Sequence, residues 1–331
     1  GGLGGNISNH QVQNLSSETP DPEVGVYAEV KNSRVKGRSN TGGIYGSGDY
    51  HVYNRVAGCD VEAAEDYAGG IVGSGYMYRA DIEDCKVTAK RYAGGASGNR
   101  GSNYINVTGC TIYAEECAGG ISGWKQYDSG SNLNVDACAV YAGQYAGGIA
   151  GKYYGRSSDL QIYNTGVRNT LVGRTADEYP AVRKTETPGD NGEAAVSYRV
   201  EWASGPDGLG SKATEYAGGI SGFSSGIGTR SLYVDDSVAV RGGRYVGGMF
   251  GRCDGGQHFR FGTGAAVKAG SYAGGFAGLL TGYGTSPEEG YVFVKPVTSI
   301  SRGYIAGSVE ATDGYAGGIA GMYEAGERRK D

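Results

Sequence analysis

The chain has 331 residues, among them 64 Gly, 27 Tyr and only 7 Pro, with a formal net charge of −5. Glycine at nearly a fifth of the chain, without a Gly at every third position, excludes a collagen-type helix, and 39% hydrophobic residues is too rich for a disordered linker. No Lys/Arg run exceeds Arg328-Arg329-Lys330, which argues against nucleic acid or an anionic membrane surface as a partner, and no stretch of about 18 apolar residues supplies a transmembrane helix.

A repeated segment organises the chain from its first residues. GGLGG at 1–5 looks like a shortened copy, NTGGIYG at 40–46 a loose one, and DYAGGIVG at 66–73 the full form. RYAGGASG (91–98), ECAGGISG (116–123), QYAGGIAG (144–151), EYAGGISG (215–222), RYVGGMFG (244–251), SYAGGFAG (271–278) and GYAGGIAG (314–321) follow. The first glycine of each pair falls at 42, 69, 94, 119, 147, 218, 247, 274 and 317, so the unit is 25–29 residues with two longer steps. A fixed period of this size means stacked supersecondary units.

Between the glycine segments lie two alternating stretches. One is Cys59-Asp-Val61-Glu-Ala63, repeated at Cys85, Cys110 and Cys138 and weakly at Ser33 and Ala265. The other is Ile105-Asn-Val107, Leu133-Asn-Val135 and Leu232-Tyr-Val234, separated from the first by the corners Thr108-Gly109, Asp136-Ala137 and Asp235-Asp236. Period-two alternation with turn residues between predicts three short strands per unit, none able to bury its inner face alone. Stacking them predicts an all-β fold: a single right-handed parallel β-helix over 1–331, of about ten coils around a triangular core. In DYAGGIVG, alternation places Tyr67, Gly69 and Ile71 on one side with the Ile facing the core, and the glycines at a corner too tight for a Cβ. Two insertions interrupt the period, at about 173–212 and 281–304. The first reads as a projecting β-hairpin around Pro188-Gly-Asp-Asn-Gly192.

The Gly-Gly-Ile/Leu-x-Gly core, together with Gly1-Gly2-Leu3-Gly4-Gly5, resembles the GLUG repeat of bacterial surface proteins, which recurs in adhesin-like proteins and in the non-catalytic part of some immunoglobulin-A-cleaving metalloproteases. The likeness covers most of the chain outside the insertions, and departs from the common form in favouring Tyr-Ala before the glycines. It implies a structural unit on an extracellular bacterial surface and names no ligand. No His-Glu-x-x-His occurs, so the metalloprotease zinc motif is missing from these residues. Residue 1 already falls within a repeat and no signal region precedes it, which suggests a fragment of a longer surface protein.

Candidate chemistry is sparse. Cys59, Cys85, Cys110 and Cys138 share one repeat position and are expected as an inward ladder of buried thiols, with disulfides the lesser alternative; Cys117 replaces a repeat Tyr and Cys253 stands alone. No Cys-x-x-Cys or Cys/His pairing suggests a metal, and no cofactor is expected. His10, His51 and His258 read as solvated loop residues outside any catalytic constellation. Asp235-Asp236, with Asp254 about one coil on, is the most suggestive glycosidase or lyase pair, and the corner position of Asp235-Asp236 explains it structurally.

Aromatics offer more. The loops after the glycine segments carry Tyr50, Tyr76, Tyr104, Trp124, Tyr127, Tyr153, Tyr154, Phe223 and Tyr283 among polar residues, expected as an exposed ladder on one edge. Flat rings with wet tips suit sugars or a protein partner. Tyr179 and Trp202, flanking the hairpin turn, are expected as further anchors. The expected function is therefore a non-enzymatic adhesin or stalk that binds a glycan or a host or bacterial surface protein. A β-helical polysaccharide lyase or glycoside hydrolase, and a passive spacer in a surface protease, are the alternatives.

Overall fold

The structure, a computed structural model, describes residues 4–6, 28–126, 130–155, 161–188, 194–204, 212–226, 228–282 and 298–324. They form an all-β parallel solenoid. Each coil contributes to four sheets rather than three. In one coil these are Met77–Glu83 (sheet I), Lys86–Ala89 (sheet II), Tyr92–Gly94 (sheet III) and Ser97–Asn99 (sheet IV). Sheets II and III hold nine strands each, so nine levels are stacked, slightly fewer than the ten expected.

The extra sheet arises inside the glycine segment. Tyr92–Gly94 pairs with Tyr67-Ala68-Gly69 and Cys117-Ala118-Gly119 in sheet III, whereas Ser97–Asn99 pairs in sheet IV, so the chain bends between them. That bend breaks the expected alternation: Ala68, Ile71 and Val72 all enter the core, while Tyr67 stays outside it. A Cβ on Gly94 would overlap the Ser97 carbonyl oxygen and lie 2.7 Å from the Gly123 nitrogen, so sheets III and IV meet backbone to backbone on their outer sides. Gly95 faces inward, where a Cβ would stand 2.9 Å from Val107 of sheet I. The two glycines thus serve opposite sides of one wall.

A single apolar cluster runs from Val30 to Leu280 along the axis. The residue after each Gly-Gly pair (Ile44, Ile71, Ala96, Ile121, Ile149, Ile220, Met249, Phe276) is fully buried, and each large member contributes about 1.5–3 kcal/mol. In the last described coil its counterpart Ile319 is 55% exposed, because no further coil among the described residues covers it. At the corner between sheets I and II the chain adopts positive φ at Asn32, Gly58, Asp84, Gly109, Ala137 and Asn169. The residue that follows fills the corner. The backbone N–H of Cys59, Cys85 and Cys110 donates to the sulfur one coil on at 3.3–3.4 Å, and Cys138 donates to Thr170 Oγ1 at 3.2 Å. All six cysteines are free thiols and buried, as the ladder reading expects.

The first insertion is an antiparallel hairpin, Glu178–Pro188 with Ala194–Ser204, its turn at 189–193 lying outside the described residues. It is anchored along the rod rather than standing clear of it. Near its base Trp202 packs under Arg241 and Tyr179 meets Tyr141. Further out, Tyr198 covers Gly109, and Lys184 bonds Asp84 Oδ2 at 2.8 Å. Most of the second insertion, 283–297, lies outside the described residues.

Candidate functional site: an outer aromatic seam

Where sheets III and IV meet, the repeat tyrosine of sheet III stands at the rim of the seam. Successive rings stack: Tyr67 on Tyr92 at 5.1 Å, then Tyr145, Tyr216, Tyr245 and Tyr272 at 4.9–5.1 Å, and Tyr315 beyond at 5.8 Å. Parallel in-register strands force this, since one position recurs at every coil spacing. Together with Leu279 and Met322 the lower rings form a second apolar cluster separate from the core.

Cys117 interrupts the stack, and Trp124 takes the missing ring's place against Tyr92. The indole comes from the adjoining strand Ser122–Gln126 and stacks on Tyr92 at 5.1 Å with a 27° tilt. Tyr154 meets Trp124 edge-on at 6.3 Å and Phe223 at 5.1 Å, so a second aromatic row begins at the gap. The sheet IV positions in register with Trp124 are Lys152, Phe223, Arg252, Leu279 and Met322. Cations lie over the rings: Lys152 Nζ is 4.6 Å from the Tyr145 centroid and the Arg252 guanidinium 5.4 Å from Phe223. Burial, then the neighbouring Tyr216, pushes the Tyr145 hydroxyl well above its ordinary range, so it stays a neutral donor. Trp124 Nε1 is buried and has no hydrogen-bond acceptor among the described residues.

The sequence-derived aromatic candidates do not converge on one ladder. Trp124 and Tyr154 belong to the seam, half-buried, with Phe223 beneath them. Tyr153 points inward and is fully buried in the core, because the loop read from sequence is a sheet IV strand, Ala150–Tyr154, with its own alternation. Tyr76 and Tyr104 lie apart from the seam: the Tyr76 backbone N–H donates to Asp49 Oδ1 at 2.8 Å and its hydroxyl accepts from Asn103 Nδ2, while Tyr104 packs on Tyr78 at 5.2 Å. Tyr179 and Trp202 fasten the hairpin. Tyr127, Tyr283 and His10, and the side chains of Tyr50 and His51, lie outside the described residues. Lys152 and Arg252 were not singled out from sequence, although their fixed offset from each Gly-Gly pair was the available signal.

His258 contradicts its reading as a solvated loop residue. It is 1% exposed, with Nδ1 2.9 Å from Thr229 Oγ1 and Nε2 3.3 Å from Cys253 Sγ, between Phe250 and Phe276. Cys253 therefore does not stand alone. Burial drives the imidazole down to about 4 and the Cys253 thiol well up, so both are neutral near pH 7 and no thiolate is available for attack. The carboxylates do not assemble either. Asp235 Oδ1 accepts from the Ser237 N–H at 3.0 Å and its hydroxyl at 2.7 Å, bonds that close the corner and lower the Asp235 carboxyl. Asp254 lies on sheet IV, buried against Arg252 Nε and Thr281 Oγ1, both at 2.8 Å. Among the described residues no group of three or more His, Cys, Asp or Glu could hold a metal ion. No known protein family, curated protein or solved structure matches the chain.

Proposed function

We propose that this chain is a non-enzymatic repeat segment of an extracellular bacterial surface protein, an adhesive stalk that recognises a glycan or a surface protein with side chains on its outer faces. The observation that carries this reading is the seam around Trp124. An indole flanked by Tyr92 and Tyr154 and half-open to solvent offers a flat apolar face held in a fixed position. Sugar rings and apolar side chains pack against such aromatic faces. Likeness of the glycine segment to GLUG repeats supports the setting. A rigid rod holds the rings at fixed spacing, so little ordering entropy opposes binding.

A panel of glycans and surface proteins, probed with the wild type, Trp124→Ala and Tyr154→Ala, tests the proposal. Retention that falls in both variants supports it. Depolymerisation of any polysaccharide that is lost in Asp235→Ala and Asp236→Ala overturns it in favour of an enzyme. Silence on every ligand favours the passive spacer.

A further inference from the structure

The outer face of sheet I changes character in the last three coils, on the strands Gly228–Val234, Gln257–Thr263 and Ser299–Ile305. The Arg230, Arg260 and Arg302 guanidinium carbons lie 5.8, 5.3 and 5.2 Å from the centroid of one ring, Phe259. All three arginines are exposed, and none joins an ion pair among the described residues. Three like charges gathered on one side chain in a chain of net charge −5 is an arrangement that repels itself unless an anion is present.

Backbone strain singles out the same place. Arg260 and Arg302 have φ of 52° and 53°. They belong to a column of positive-φ residues, one per coil, that runs Tyr104, Asn132, Asn164, Ser231, Arg260, Arg302. Asn tolerates this conformation best after Gly, and earlier coils use it; the last two carry arginine instead. Strained residues of this kind gather at functional sites.

Beside the arginines stand two tyrosines. Tyr233 and Tyr304 are 63% and 68% exposed and share a column with Gly262 between them. A Cβ on Gly262 would come within 3.2 Å of the Tyr233 ring and 4.0 Å of the Tyr304 ring, so glycine floors a slot between two open aromatic faces. On the other side of the arginines a cavity of about 300 Å³ is lined by Arg230, Gln257, Phe259, Ser299 and Ser301, with His258 at its inner wall.

The geometry points to a binding site for an acidic polysaccharide, one carrying carboxylate or sulfate groups, along the outer face of sheet I in these coils. Guanidinium forks take planar carboxylates and sulfates with two parallel hydrogen bonds, and exposed tyrosine faces pack against sugar rings. Gln257, Ser299 and Ser301 supply neutral partners for sugar hydroxyls. The site lies on a different sheet from the Trp124 seam. It rests on the reading of the chain as a recognition module and names the charge class of one ligand.

The solenoid itself supplies the test substitution, since Asn occupies the same column at 132 and 164. Arg260→Asn/Arg302→Asn should fold with a melting temperature at or above that of the wild type. Binding of the wild type is measured to immobilised heparin, polygalacturonate and neutral dextran over a series of salt concentrations. The expected result is retention on heparin or polygalacturonate that weakens with salt and falls at least about tenfold per arginine removed, with dextran ignored. Heparin alone or polygalacturonate alone would assign sulfate or carboxylate as the anion. Acidic-glycan binding that survives in the double variant overturns the site, as does binding of dextran equal to the acidic glycans. Retention of an acidic peptide such as polyglutamate without either acidic glycan also overturns it. Wild-type binding to neutral glycans alone, lost in Trp124→Ala, overturns this site and leaves the seam reading standing.

Discussion

Gly275→Ala and Gly318→Ala change the same motif position and should have opposite effects. Gly275 is the second glycine of its pair; a Cβ there would overlap the Gly318 carbonyl oxygen and lie 2.6 Å from Ile305 Cγ2. Backbone cannot yield as a flexible side-chain end can, so the coils must separate by roughly an ångström, at a cost of about 3 kcal/mol or more. Gly318 is the equivalent residue one coil later, with nothing among the described residues within 4 Å of the added methyl. There the usual advantage of alanine applies, a gain of about 0.4–1 kcal/mol from the less disordered unfolded chain. Urea denaturation followed by circular dichroism reads both through the midpoint, with the slope checked because solenoids can unfold in parts. Equal destabilisation by the two substitutions would refute the claim that stacking, rather than the local bend, requires glycine here.

Other outcomes follow from the buried groups. His258 should make the fold acid-sensitive: its imidazole is held down at about 4 against an ordinary 6.5, so between those values the unfolded chain binds the extra proton and stability rises with pH. The difference is about 3 kcal/mol between pH 7 and pH 4, and a wild-type minus His258→Gln comparison of urea midpoints isolates it from the carboxylates; a flat difference curve would contradict the burial. Ellman's reagent should find essentially no reactive thiol in the native protein and six in urea, since all six cysteines are buried and free; fewer than six in urea would reveal disulfides. Cys117→Tyr should destabilise by about 1–3 kcal/mol because Trp124 already occupies the gap in the tyrosine stack. Adding Trp124→Asn, the residue found at the preceding position Asn99, should recover most of that loss in a double-mutant cycle, and simple additivity would sink the account of the gap.

The rod was legible in the sequence because every coil reports on it. Nine repeat Gly-Gly pairs, six of whose eight steps are 25–29 residues, with Cys-x-Val-x-Ala and Leu-x-Val segments between, point to stacked parallel coils. What was not legible is the bend within Tyr-Ala-Gly-Gly-Ile. Period-two alternation describes a straight strand, and only tertiary contact reveals that Gly94 and Gly95 face opposite sides of a wall. The functional surfaces were harder still. Tyr153 and Tyr154 are adjacent in sequence yet one enters the core and the other the seam. Lys152 and Arg252 sit on different repeats, and His258 and Cys253 five residues apart, so register decides both associations. The arginine face around Phe259 depends on a positive-φ column that only backbone geometry displays.

If the protein recognises glycans without cleaving them, a bound glycan must survive its stay on the rod intact. An acidic oligosaccharide of defined length, retained by the protein at low salt, is eluted after prolonged incubation and its length measured by mass spectrometry. The account predicts recovery of the starting oligosaccharide at full length, with binding abolished in Arg260→Asn/Arg302→Asn. Shortened or unsaturated products in the wild-type eluate would contradict it.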